Sequence, residues 1–94
     1  MKLSEMWHLA AKELKQGKYV FYNPETDAHC AYGALIHYIC GHEYCGKAGR
    51  EDFPLADVWD VTFEFWQDTH ITHANDELGW SFEDFAKKAE ELGL

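Results

Sequence analysis

"PLADVWDVTFEFWQDTH", residues 54–70, is the stretch on which the fold turns. Leu55, Val58, Trp59, Thr62, Phe63, Phe65 and Trp66 recur at spacings of three and four, which gathers them on one broad face of a helix. Pro54 suits the first turn, where its missing N–H would have had no intrahelical partner anyway.

Working outward, "ITHANDELGW" (71–80) reads as the turn after this helix, and Ser81 as the cap of another. Asp84, three residues on, completes a capping box with Asp in place of Glu, and Phe82, Phe85, Ala86, Ala89 and Leu92 form the buried stripe. Toward the N-terminus, Thr26 or Asp27 can cap a helix that runs through "AHCAYGALIHYIC" (28–40) and stops at Gly41. "GHEYCGKAGRED" (41–52) reads as a surface loop. Ser4 can cap a first helix to about Gln16, with Leu3, Trp7, Ala10, Ala11 and Leu14 on its stripe and Gly17 past its end. "KYVFYN" (18–23), β-branched and aromatic, is one short extended segment between the first two helices. The expected fold is therefore mostly α: a compact four-helix single domain over residues 1–94 with one short extended segment near 18–23.

Ninety-four residues make one domain, and 47% hydrophobic residues with four Trp supply enough apolar surface to fold it. Charges at Glu5, Lys12, Glu13 and Lys15 exclude a signal or membrane-spanning segment in the first helix, so the expected location is the cytoplasm. Three cysteines without a secretory signal imply reduced thiols, although a Cys40–Cys45 bridge remains open.

Three histidines and all three cysteines fall within "HCAYGALIHYICGHEYC" (29–45). His37, Cys40, His42 and Cys45 have the donor chemistry of a zinc site. On a continuous helix from 28 to 40, Cys30 stands roughly 10 Å of rise from His37 and cannot share its ion. His37 and Cys40 share a face, Cys45 can fold back from the loop, and His70 or His73 can supply the fourth ligand. The candidate metal set is His37, Cys40, Cys45 and His73. The alternative chemistry is nucleophilic: Cys30 in the first turn of its helix, where the dipole lowers a thiol pKa, with His73 as base and Asn75 or Asp76 orienting it. The plain alternative makes Cys30 a small buried hydrophobe. Gly33 then answers to close approach by another helix or a Trp ring.

"CAYGAL" (Cys30–Leu35), with a helix ending at Gly17 before it and Asn75, Asp76 and a Ser81-capped helix after it, resembles the small Cys-x-x-Gly-Ala-Leu…Asn-Asp proteins of actinobacteria and phages, a group of unknown function. The loop 41–52 departs from that pattern. The resemblance implies an α-rich fold and a phage or mobile-element origin, and brings no activity with it. Asn75 and Asp76 would be its shared polar pair; their residue-level reading is Asx-turn chemistry that ends the third helix.

Charge is the unusual property, with 17 acidic against 8 basic residues and a net charge of −9. Residues 51–94 carry all of the excess, with twelve acids against two bases, while residues 1–50 are at +1, which disfavours direct contact of the second half with nucleic-acid phosphates. Asp57, Asp60, Glu64 and Asp68 stack along one edge of the third helix, where like charges cost a few tenths of a kcal/mol each. They are either an ordinary solvated face or a docking surface for a basic protein. The expected function is a small acidic protein-binding module without enzymatic activity or cofactor, in the phage setting a modulator or inhibitor of a nucleic-acid-handling or defence protein of the host. The alternatives are a zinc-binding module and, third, a cysteine-dependent enzyme.

Overall fold

A computed structural model describes residues 1–45 and 55–94, and the side chain of Leu55 lies outside that description. Pro54 and the greater part of the expected 41–52 loop also lie outside it.

The chain runs α1 (Leu3–Glu13), β1 (Lys15–Gln16), β2 (Tyr22–Asn23), β3 (Ala28–His29), α2 (Ala31–Cys40), a 3-10 turn (His42–Tyr44), α3 (Leu55–Asp68), α4 (Ile71–Asp76) and α5 (Phe82–Glu91). The fold is mostly helical, as expected, but it has five α-helices among the described residues and a small sheet. Residues 71–76, expected as a turn, form α4, capped by the His70 side chain accepting from the His73 N–H. None of the described helices is long and apolar enough to cross a membrane.

The helical body is built on aromatic packing. Trp7 is fully buried on α1, 4.8 Å from Phe65 of α3 and 5.1 Å from Phe85 of α5 between ring centroids. Its indole N–H donates to the Ala31 carbonyl at 3.1 Å, so the large apolar ring enters the core with its polar atom satisfied at the start of α2. Leu3, Met6 and Ala10 complete the α1 stripe; Phe82, Phe85, Ala86 and Ala89 of α5 face it. The Ser81–Asp84 capping box forms in both directions. Leu92, expected on the buried stripe, caps the end of α5 and is exposed.

The third helix is narrower in its burial than its periodicity suggests. Val58, Thr62 and Phe65 are buried and Trp66 is half-buried, whereas Trp59 and Phe63 are 47% and 50% exposed. Periodicity identifies an apolar face, but what covers each flank is a tertiary matter.

The extended segments differ most from expectation. α1 starts at Leu3, with Ser4 inside it, and ends at Glu13, so Lys15–Gln16 is free to pair. β3 is the central strand, parallel to β1 and antiparallel to β2, with His29 opposite both Gln16 and Tyr22. Residues 28–29 are thus strand and not the first turn of α2, whose N-cap is Cys30. Gly33 faces the backbone of Phe21: a Cβ there would lie 1.8 Å from the Phe21 carbonyl oxygen. Its packing partner is the strand approach, not a helix or a Trp ring.

Asn75 ties α4 to the β1 segment and to the start of α2. It is buried; its Oδ1 accepts from the Ala31 N–H (3.0 Å) and from Gln16 Nε2 (2.8 Å), and its Nδ2 donates to the Gly17 carbonyl (2.9 Å) and to Asp76 Oδ1 (2.8 Å). It therefore sits inside α4 and binds distant backbone, in place of the local turn chemistry expected of it. Asp76 Oδ1 also accepts from the Tyr19 N–H.

Candidate metal centre

His29 reaches the site because β3 runs into α2 without a turn. Its carbonyl accepts from the Gly17 N–H, the following Cys30 N–H donates to the Phe21 carbonyl, and its imidazole is buried on the inner side. His37 follows in the last turn of α2. Gly41, at φ +106°, takes a backbone conformation open to glycine and reverses the chain into the 3-10 turn, which carries His42 and delivers Cys45 behind it. The spacing is H-x7-H-x4-H-x2-C.

One ligand atom from each of His29, His37, His42 and Cys45 lies within 4.8 Å of all the others, and the group could hold a metal ion. Cys45 Sγ is 3.5 Å from His29 Nε2 and 4.0 Å from His37 Nδ1, and the Nδ1 atoms of His37 and His42 are 3.2 Å apart. A zinc ion with bonds of 2.0–2.1 Å to nitrogen and about 2.3 Å to sulfur has tetrahedral edges of roughly 3.3 Å between nitrogens and 3.6 Å between nitrogen and sulfur. The separations of 3.2, 3.5 and 4.0 Å fall within about 0.4 Å of those edges, and closing the group from its outer limit of 4.8 Å would complete the tetrahedron.

The protonation states suit ligation. Burial first, and then His37 and His42, hold the His29 imidazole below its ordinary pKa. Burial and then His42 do the same to His37. Both rings are accordingly neutral at pH 7, the form that binds metal. Burial first, then Cys40 and Asp27, push the Cys45 thiol up to about 11, so ligation there displaces a proton. Tyr22 packs its ring against His29 (4.7 Å) and His42 (5.3 Å), and its hydroxyl donates to Asp27 Oδ1 at 2.8 Å. His29 Nδ1 is buried without a hydrogen-bond partner.

Of the expected ligands, His37 and Cys45 belong to the group and Cys40 and His73 do not. Cys40 is on α2, half-buried against the hydrophobic core, and burial followed by the Asp57 charge raises its thiol pKa. His73 is exposed on α4, with its ring 6.3 Å from that of His70. His29 takes a place because residue 29 is strand, so the helical rise that separates residues on α2 does not apply to it. His42 was visible as a donor by its chemistry; what selects it is the reversal at Gly41. Cys30 and Cys45 are free thiols.

The nucleophile arrangement is not assembled as expected. Cys30 is 3% exposed, and its Sγ accepts from the Gly33 N–H at 3.4 Å as the cap of α2. Burial raises its pKa and outweighs the hydrogen bonds from the helix start that lower it. Asn75 does arrive beside this helix start, but with its Oδ1 on the Ala31 N–H.

Asp57, Asp60, Glu64 and Asp68 are all exposed along α3. Asp68 is engaged within the fold: it accepts from Thr69 Oγ1 at 2.6 Å and pairs with Lys88 of α5 at 3.4 Å. The Thr69 bond and then Lys88 hold its carboxyl below the usual range. Trp59 and Phe63 pack edge to face at 6.0 Å on the same helix. No protein-family model matches the chain, and neither a curated protein nor a solved structure matches it.

Proposed function

We propose that the chain is a small zinc-binding domain whose ion is held by His29, His37, His42 and Cys45 in a structural site. The observation that carries this reading is the convergence of four donor atoms, from a strand, a helix and a 3-10 turn, within 4.8 Å. Three imidazoles and one thiolate suit zinc, whereas magnesium and calcium require oxygen ligands. Four protein ligands leave no position open for water or substrate, which favours a structural role over a hydrolytic one.

The test is elemental analysis of the purified chain, followed by cobalt substitution. One zinc per chain, and a cobalt form with tetrahedral and thiolate charge-transfer bands that vanish in Cys45→Ala, are the expected results. A folded chain that takes up neither ion refutes the reading.

A second reading, favoured by the exposed Trp59 and Phe63 beside Asp57, Asp60 and Glu64, is a docking surface on α3 for a protein with a basic surface. Aromatic anchors supply affinity and the acidic rim supplies steering and salt dependence. In the phage setting such a partner would be a nucleic-acid-handling or defence protein of the host. Reversal of charge in Asp60→Lys/Glu64→Lys is expected to slow association with such a partner and flatten its salt dependence; an unchanged on-rate removes this face from consideration.

A further inference from the structure

We infer, resting on the zinc reading above, that the ion is a folding switch for one lobe of the molecule, residues 22–29 and 41–45, which docks on a helical body that folds without it. The body has its own core: Trp7, Leu35, Phe65 and Phe85 belong to one hydrophobic cluster. The first strand belongs with that body, because Gln16 hydrogen-bonds to Asn75, to the Trp80 carbonyl and to the Phe82 N–H.

Among the described residues the lobe has no comparable interior. Its strands are two residues long, below the size that is stable without packing. Residues 24–27 are exposed, and the 3-10 turn buries none of its residues. His29 and Cys45 are buried, yet neither belongs to the hydrophobic cluster. Ala28 is buried as well and Tyr44 packs on the edge of the hydrophobic cluster, but the centre of the lobe is imidazole and sulfur. Polar groups gathered there oppose closure, and the pairing of β3 with β1 and the edge packing of Tyr44 are small, so metal–ligand bonds are the interaction that tips the lobe closed.

Residue-resolved hydrogen exchange of the full chain, with and without buffered zinc, tests this. The informative amides are Tyr44 and Cys45, which donate to the Gly41 and His42 carbonyls; amides within α1 and α5 are the internal reference. If opening requires release of the ion, free zinc at about 100 times Kd slows exchange at Tyr44 and Cys45 by about 100-fold and leaves the reference unchanged. His42 is exposed, so His42→Ala leaves no cavity; it is expected to abolish the zinc-dependent slowing with the reference intact. Stoichiometric zinc with uniform slowing across lobe and body overturns the inference and makes the ion a staple of the whole fold. Stoichiometric zinc with no slowing at Tyr44 and Cys45 overturns it while leaving the zinc site in place. Absence of zinc binding removes both.

Discussion

Replacing Asn75 with alanine unties α4 from the β1 segment and from the start of α2 at a single side chain. Four hydrogen bonds of 2.8–3.0 Å are lost, but their costs differ. Gln16 Nε2 keeps the Trp80 carbonyl, and Asp76 Oδ1 keeps the Tyr19 N–H, so those two partners remain satisfied. The Ala31 N–H is buried and loses the acceptor the side chain supplied, a cost of about 1–3 kcal/mol. The Gly17 carbonyl is half-buried and can recover water, which limits its loss to about 1 kcal/mol. With the lost Gln16 bond, the sum is about 2–5 kcal/mol, a large share of the roughly 5–15 kcal/mol that holds a domain of this kind. Urea unfolding followed by tryptophan fluorescence reads it, with metal either saturating or chelated in both proteins, since ligand binding moves the midpoint by itself. Asp76→Ala, which frees the exposed Tyr19 amide and leaves Asn75 Nδ2 still on the Gly17 carbonyl, is the control and should lose less than about 1.5 kcal/mol. A loss below about 1 kcal/mol for Asn75→Ala would refute the claim that this residue is the joint, and would return it to ordinary turn chemistry.

Gly33→Ala ordinarily gains about 1 kcal/mol inside a helix, but here the new methyl meets the Phe21 carbonyl, so a lowered thermal midpoint is expected; a raised one would show that the strand yields freely. His8 lies between Glu90 and Glu83, whose hydrogen bonds raise its pKa above 6.5. Its bridge from α1 to α5 is therefore fully present below about pH 6.5 and is lost as pH rises through the raised value. Proton NMR should place the midpoint above 6.5 and return it there in Glu83→Gln/Glu90→Gln; a wild-type midpoint at 6.5 removes the bridge. Buried, and with its pKa raised, Cys30 should react with a disulfide reagent only on unfolding, and rapid native labelling at that position would restore the nucleophile reading. Asp60→Lys/Glu64→Lys should change stability by no more than about 0.5 kcal/mol, since both side chains are exposed; a larger loss would mean that the acidic edge serves the fold.

Much of the helical body was legible in the sequence because its signals are local. The period of three and four that carries Leu3, Trp7 and Ala10, or Phe82, Phe85 and Ala89, is a property of adjacent turns. The Ser81–Asp84 box spans three residues, and it formed as its spacing implied. Legibility fell where a face had to be covered by something distant: Trp59 and Phe63 share the α3 periodicity with Phe65 but remain exposed.

The candidate site shows the same division. Composition alone marked 29–45 as the chemically dense stretch, and placed His37 and Cys45 among its donors. The choice of His29 over Cys40 and His73 depended on a strand of two residues, too short to show a period of two. Its partners, Gln16 and Tyr22, stand thirteen and seven residues away. A helix carries its hydrogen bonds within four residues and so appears in the local pattern; a strand is made by its neighbours. The sequence by itself determined four of the five described helices, the acidic balance and the donor chemistry. Only tertiary structure decided which donors meet, because that rests on strand pairing and on the reversal at Gly41, both of which bring together atoms that the chain order keeps apart.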